Sequence, residues 1–269
     1  MFYRRLIQFV MMGTAMTALG CGGMDPGATG SINQANHSWG GYHWARTSNP
    51  FTVKLGNNVT SQWTSFLNTA SADWTNSAVL DTTIVAGGSQ RSRCNSSKGR
   101  VEVCNYEYGT TGWLGIASIS INGEHITAGT VKLNDTYYAQ AQYNTPAWRA
   151  LVMCQEVGHT FGLAHQDENF GNANLNTCMD YTNLPDSNQH PNTHDYDQLV
   201  SIYSHVDTTT TVQSAVPTQA LDQLTELGEL VDTRGQGHIQ TFVHDFGPDL
   251  KVISDVFWIE PHEGDHDHE

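Results

Sequence analysis

The residues best suited to chemistry lie in one short segment, and their spacing is that of ligands around a metal ion. His159 and His165 stand six residues apart, and Glu156 precedes the first of them by three. Positions four apart share one face of a helix, so Gln155 and His159 are expected to point into the same cavity. Gly162 lets the helix stop and turn sharply, which brings His165 back toward that cavity. Zinc prefers imidazole nitrogen among its ligands, so two imidazoles that meet in one cavity have the chemistry to hold such an ion.

The pattern formed by these residues, Q-E-x-x-H-x-x-G-x-x-H, resembles the zinc signature of the metzincin metallopeptidases, H-E-x-x-H-x-x-G-x-x-H. A second motif supports it, because Cys178-Met179-Asp180-Tyr181 resembles the Met-turn that underlies the metal in this clan. Its Met-x-Tyr arrangement is similar to that of the astacin-like and serralysin-like branches. By the order of predicted elements the resemblance covers residues 37–205, with motif support confined to 154–182.

The resemblance implies a fold, a cofactor and a reaction. The fold is α+β, a mixed twisted sheet with an active-site helix and a C-terminal helix. The cofactor is Zn²⁺, and the reaction is hydrolysis of peptide bonds in a protein or peptide substrate. Glu156 is then the general base for metal-activated water, Tyr181 stabilises the oxyanion and Met179 forms the floor of the site. The strand predicted at 126–133 has a glycine at 129 that suggests an edge position or a bulge. As an edge strand it is expected to pair with an extended substrate by strand addition.

Gln155 stands where the metzincin signature has its first histidine. An amide oxygen is a weak donor for zinc, which leaves three alternatives open. In the first, Gln155 coordinates the metal weakly beside His159 and His165. In the second, Asp167 supplies the third ligand and Gln155 does not contact the metal directly. In the third alternative the metal is absent and the fold is retained for binding. The prediction is a metal held by the two imidazoles and one oxygen ligand.

The cysteines indicate two disulfides. Five are present, and an even number remains if Cys21 carries a lipid. In an exported chain that number predicts two bonds with three possible connectivities. The nearest-neighbour choice is Cys94–Cys104 and Cys154–Cys178, and the second of these would tie the active helix to the Met-turn. A zinc site of four thiolates is the alternative, although no Cys-x-x-Cys pair supports it.

The N-terminus predicts export. Arg4 and Arg5 precede an apolar run over 6–19, which is too short to cross a bilayer as a helix and is typical of a signal peptide. It ends in Ala18-Leu19-Gly20-Cys21, which resembles a bacterial lipobox. The prediction is a protein anchored by a lipid on Cys21 to a bacterial membrane and facing the periplasm or the exterior. Ordinary cleavage that releases a secreted protein is the alternative.

Apolar periodicity and composition divide the chain into six segments. They are a signal peptide (1–20), a flexible Gly-rich tether (21–36), the metzincin-like catalytic domain (37–205), a linker (206–230), a small β-hairpin appendage (231–259) and a disordered His/acid tail (260–269). Within the catalytic domain, Pro146 is expected to open the long helix that carries the motif.

Charge narrows the classes of function. The net charge is −15, with 27 acidic and 12 basic residues and no basic stripe, which argues against a nucleic-acid partner. Three hypotheses remain. The first is a zinc-dependent endopeptidase, the second a non-catalytic relative that binds peptides or partners at the cell surface, and the third a surface protein whose tail sequesters metal. The oligomeric state stays open.

Overall fold

The computed structural model describes residues 36–213, 227–247 and 249–259. The predicted signal peptide, most of the tether with Cys21, much of the linker and the tail at 260–269 lie outside these ranges. Within them, no helix combines the length and the apolar composition that crossing a bilayer requires.

The described residues form one mixed nine-stranded sheet. Its strands are β1 (His43–Trp44), β2 (Phe51–Asn58), β3 (Leu80–Ala86), β4 (Arg100–Tyr106), β5 (Trp113–Asn122), β6 (His125–Asn134), β7 (Glu229–Arg234), β8 (Ile239–Asp245) and β9 (Leu250–Trp258). The order is β3-β2-β4-β6-β5-β9-β8-β7, and the short β1 pairs with β6. The pairs β1–β6, β2–β3, β2–β4 and β4–β6 are parallel. The pairs β5–β6, β5–β9, β7–β8 and β8–β9 are antiparallel.

Within the described ranges four α-helices accompany the sheet, namely α1 (Ser61–Trp74), α2 (Asp135–Tyr138), α3 (Pro146–His159) and α4 (Thr193–Ile202). Helix α3 begins as predicted, with Pro146 in its first turn and the Thr145 side chain accepting a hydrogen bond from the backbone N–H of Trp148. It is buried from Leu151 to its end and contacts both α1 and β5. Trp74 of α1 donates from Nε1 to the carbonyl of Cys154, 3.1 Å away. The chemically important segment is therefore held rigidly in the core.

The strand predicted as a sheet edge is interior. Strand β6 is paired with β4 on one side and with β5 on the other. The glycine that suggested an edge is needed for close packing, because a Cβ at Gly129 would lie 3.0 Å from Val101 Cγ2 and 3.3 Å from the side chain of Thr160. The edge assignment was therefore wrong.

The predicted C-terminal appendage also differs from the structure. Three strands form instead of two, and they continue the main sheet because β9 pairs with β5 from Trp113↔Trp258 to Asn122↔Leu250. On β9, Ile253 and Phe257 pack into the large core, while Val256 faces a smaller cluster on the opposite side of the sheet. This alternation places Asp255 on the same face as Ile253 and Phe257, toward the core.

Both predicted disulfides are present, Cys94–Cys104 and Cys154–Cys178, each with a Cα–Cα separation of 5.9 Å. Two disulfides in a chain of this size are typical of an oxidising, exported environment. The second bond joins α3 directly to the segment that carries Met179.

Candidate metal and active site

Helix α3 ends where the site begins. Gln155, Glu156 and His159 lie in its last turns and are almost fully buried. After His159 the chain turns, and Gly162 adopts a φ of +91°, a left-handed conformation that glycine tolerates. A Cβ at Gly162 would clash with the carbonyl of Tyr42. The sharp turn predicted at this glycine is therefore confirmed, and it returns the chain toward the helix.

The turn brings two imidazoles together. Nε2 of His159 lies 3.0 Å from Nε2 of His165, and the rings meet nearly edge to face. Nδ1 of His159 lies 2.8 Å from the carbonyl of Leu163, which can only accept, so that nitrogen carries the proton and Nε2 keeps a lone pair. Burial lowers the pKa of both histidines well below the usual value. Both rings are therefore neutral and suited to bind a metal.

A carboxylate from the C-terminal strands completes the group. The side chains of His159, His165 and Asp255 offer ligand atoms that all lie within 4.8 Å of one another, and all three residues are buried. Arg234 Nη2 lies 3.2 Å from Oδ2 of Asp255, whereas Oδ1 has no hydrogen-bond partner within the described ranges. Burial raises the pKa of Asp255 to about 7, and the nearby Arg234 opposes the rise.

The two oxygen donors expected from the sequence lie elsewhere or are oriented differently. Gln155 donates from Nε2 to the carbonyl of Cys178 at 2.7 Å, and its buried Oε1 has no hydrogen-bond partner in the part of the chain described. Asp167 accepts a hydrogen bond at Oδ1 from the backbone N–H of Asn169, 2.6 Å away, and so shapes its own loop. The carboxylate that the structure gathers with the two histidines is Asp255.

Glu156 faces strand β5. A Cβ at Gly115 would lie 2.7 Å from Oε1 of Glu156, so only glycine lets the strand pass this close to the carboxylate. Oε2 is buried and has no hydrogen-bond partner among the described residues. Burial, followed by the charge of Asp255, raises the pKa of Glu156 well above its usual value. The carboxyl group of Glu156 therefore holds a proton more readily than an exposed glutamate does.

The predicted Met-turn lies against the helix. A Cβ at Gly158 would lie 2.8 Å from Met179 Sδ, and the carbonyl of Met179 accepts a hydrogen bond from the backbone N–H of Gln166 at 2.6 Å. The ring of Tyr181 is 4.4 Å from that of His165, measured between centroids. These contacts put both sequence-predicted residues at the site.

Strand β9 covers the Tyr181 ring. Phe257 stacks on it with a centroid separation of 4.7 Å, and the Tyr181 hydroxyl has no hydrogen-bond partner within the described residues. Burial raises the pKa of that phenol well above its usual value. With His159, His165, Glu156 and Tyr181 each exposed by 6 % or less, the site is closed in this structure.

The disulfide Cys154–Cys178 is expected to stabilise both the fold and the site. Replacing both cysteines by serine should lower the free energy of unfolding by roughly 3 kcal/mol, because closing a loop of this length restricts the unfolded chain. Urea denaturation measures this loss. The matched control, Cys94→Ser with Cys104→Ser, should be destabilised by a similar amount without losing affinity for metal at His159 and His165. Equal metal affinity in both double variants would contradict the positioning role.

No protein-family model matches the chain, and no curated protein sequence matches it either. The resemblance to metzincins in residues 154–182 therefore stays a prediction from the sequence.

The donor set fits a metal ion. Two neutral imidazoles and one carboxylate form a common ligand set for a first-row metal in an enzyme. Buried oxygen atoms of Asp255, Glu156 and Gln155 have no hydrogen-bond partner within the described residues, and the carboxylate of Asp255 lies with the two histidines. Leaving such atoms without a partner is costly, and a bound cation removes part of that cost. The structure thus contains a His/Asp group that can hold a metal ion.

Proposed function

We propose that the chain is a zinc-dependent endopeptidase and that the structure describes its closed form. The observation that carries the proposal is the 3.0 Å approach of the His159 and His165 Nε2 atoms, with Glu156 on the same helix. Zinc suits this site because the donors are imidazole nitrogen and carboxylate oxygen, whereas calcium and magnesium prefer oxygen alone.

Each of the chain's own groups has a role in this reaction. When bound, zinc supplies Lewis acidity toward a water molecule and a carbonyl oxygen. Glu156 takes a proton from the attacking water and delivers it to the leaving amine, a transfer favoured by its raised pKa. The Tyr181 hydroxyl, free of other partners within the described chain, donates to the oxygen on which negative charge develops.

The closed form follows from strand β9. An extended substrate binds a peptidase of this kind by adding to a strand with unpaired backbone groups. In this structure β9 already occupies that side of β5, and its Asp255 and Phe257 cover the histidines and Tyr181. Turnover therefore requires β9 to separate from β5. In the opened form the amide oxygen of Gln155 is available as the third donor.

A non-catalytic surface protein that binds peptides or partners is the second candidate. It is favoured by the weak donor at Gln155 and by the complete burial of the catalytic groups. This candidate predicts binding of unfolded protein without cleavage.

Metal removal tests the proposed function. The purified chain is expected to contain zinc and to cleave an unfolded protein substrate slowly. A chelator should abolish that cleavage and added zinc should restore it, because both histidines act only through the metal. Elemental analysis and peptide mass mapping measure the two properties. The control is His190→Asn, an exposed histidine paired with Asp73, which should change neither. Zinc binding without any chelator-sensitive cleavage would instead support the second candidate.

The proposal includes a location on a bacterial membrane, facing the periplasm or the exterior and held by a lipid on Cys21, with secretion as the alternative. Fatty-acid labelling in cells is expected for the wild type and should be lost in Cys21→Ser. An unlabelled wild-type protein in the medium would favour secretion.

A further inference from the structure

A second group of histidines converges on one carboxylate, away from α3. Its members are His43 on β1, His125 at the start of β6, and His205 and Asp207 in the segment that follows α4. Nε2 of His125 lies 3.2 Å from Oδ1 of Asp207, and Nε2 of His43 and of His205 each lie 3.8 Å from the same oxygen. Nε2 of His205 is also 3.2 Å from Nε2 of His43.

We propose that His43, His125, His205 and Asp207 form a second metal site, distinct from the one on α3, that takes zinc or a similar first-row ion. A tetrahedral zinc ion with bonds of about 2.0–2.1 Å separates its ligand atoms by roughly 3.3 Å. Four of the pairwise separations among these atoms, 3.2–3.8 Å, surround that value. Ligand atoms of His43, His125 and Asp207 lie within 4.8 Å of one another, and His205 adjoins that group through His43 and Asp207.

The surrounding contacts orient these donors toward a common point. Nδ1 of His43 lies 2.9 Å from the carbonyl of Gly41, so the proton sits on Nδ1 and the lone pair of Nε2 is available. Arg46 donates from Nη1 to Oδ2 of Asp207 at 2.8 Å, and its backbone N–H donates to the same oxygen at 3.2 Å. Oδ1 of Asp207 is thereby left facing the histidines. A metal ligand held by such a second contact is typical of protein zinc sites.

Another buried group, His37 with His194 and Asp195, is the rival candidate, because Nε2 of His37, Nδ1 of His194 and Oδ1 of Asp195 have no hydrogen-bond partner within the described residues. It offers three donor side chains. Oδ2 of Asp195 is already engaged by the hydroxyl of Thr177 and by the backbone N–H of Asn192, an arrangement that caps α4. The capping role accounts for the position of Asp195 without an ion.

The second site has the properties of a structural metal centre. Three protein side chains lie together, and His205, 3.2 Å from His43, is available as the fourth donor that would close a tetrahedral shell. The donors come from three separate parts of the chain, so one ion would fasten β1, the start of β6 and the segment after α4 to each other. The inference does not depend on the proposed peptidase activity.

Metal counting on the full chain tests this site. Metal-free protein is dialysed against zinc, and bound zinc is measured for the wild type and for the single variants His125→Asn and His205→Asn. Both side chains are partly exposed, at 37 % and 51 %, so these variants are expected to fold. Each should bind one zinc ion fewer per chain than the wild type, with affinity at the second site reduced more than about 100-fold. Cobalt substitution gives an independent readout, since the absorption of a tetrahedral ion should fall in the same variants.

Two further variants make the result decisive. His190→Asn removes an exposed histidine outside every cluster and should keep the wild-type zinc content. His194→Asn should also keep it. Unchanged zinc content in His125→Asn and His205→Asn would overturn the proposal. Loss of the zinc ion assigned to the second site in His194→Asn would overturn it as well. Because the readout is stoichiometry, the proposal stands or falls even if the α3 site cleaves no peptide.

Discussion

Replacing Glu156 by glutamine is expected to reduce the rate of peptide cleavage by about 10²- to 10⁴-fold while leaving bound zinc in place. Glutamine has nearly the same volume, so it fits the space beside Gly115 without new strain. It cannot take the proton from water, however, and that proton transfer is the step assigned to Glu156. The measurement is kcat for an unfolded protein substrate together with zinc content.

Asp167→Asn is the matched control for that change. It also replaces a carboxylate by its amide close to the motif, but its side chain bonds to the backbone of Asn169 rather than to the histidine pair. Cleavage and zinc content should both stay near the wild-type values. A large loss of zinc in Asp167→Asn would restore Asp167 as a metal ligand. An active Glu156→Gln variant would remove Glu156 as the base.

The site residues that lie close together in the sequence could be predicted from local signals. The Thr145–Pro146 start of α3, the turn at Gly162 and the nearness of Met179 each depend on residues within a few turns or on a disulfide. Strand alternation likewise located β6 within one residue at each end. These features are governed by backbone preferences and by apolar periodicity, which are visible in a single sequence.

Sheet neighbours are a different problem, because alternation tells which face a side chain occupies but not which strand lies beside it. The pairing of β9 with β5 joins residues more than a hundred positions apart, such as Ala117 and Asp255. One local feature of the sequence indicates that β9 lies at the site: an acidic residue stands within its apolar run, from Val252 to Phe257. A charge in such a run is costly unless a cation compensates it, and that argument would have pointed to Asp255.

Fastening β9 to β5 by a disulfide is expected to silence the peptidase. Ser118 and Ser254 stand directly opposite each other on these strands, and their hydroxyl oxygens are 2.7 Å apart. Cysteines at both positions can therefore form a bond of about 2.05 Å with little backbone movement. They lie on the face of β9 opposite to Asp255, so the change does not touch the metal ligands. The oxidised double variant should cleave substrate at least about 100-fold more slowly than its reduced form.

The controls for this experiment separate closure from chemical damage. Each single cysteine variant should keep wild-type activity. Peptide mapping should show the 118–254 bond with Cys94–Cys104 intact, a necessary check because Cys94 lines the same pocket as Ser118 and Ser254. Zinc content should be equal in the oxidised and reduced forms. Slow cleavage by an oxidised form with normal zinc content would then show that β9 must separate from β5 during turnover.

Weakening the attachment of β9 should raise the rate of cleavage. Arg234 pairs with Asp255 and with Glu168, so it joins β7 to β9 and to the loop after His165. Arg234→Ala leaves the buried carboxylate of Asp255 without its cation, which favours the separated form and should raise cleavage roughly tenfold. If the fastened enzyme cleaved as fast as its reduced form, substrate would reach the histidines with β9 in place. Asp255 would then be a permanent ligand that supplies from β9 the donor that Gln155 fails to provide.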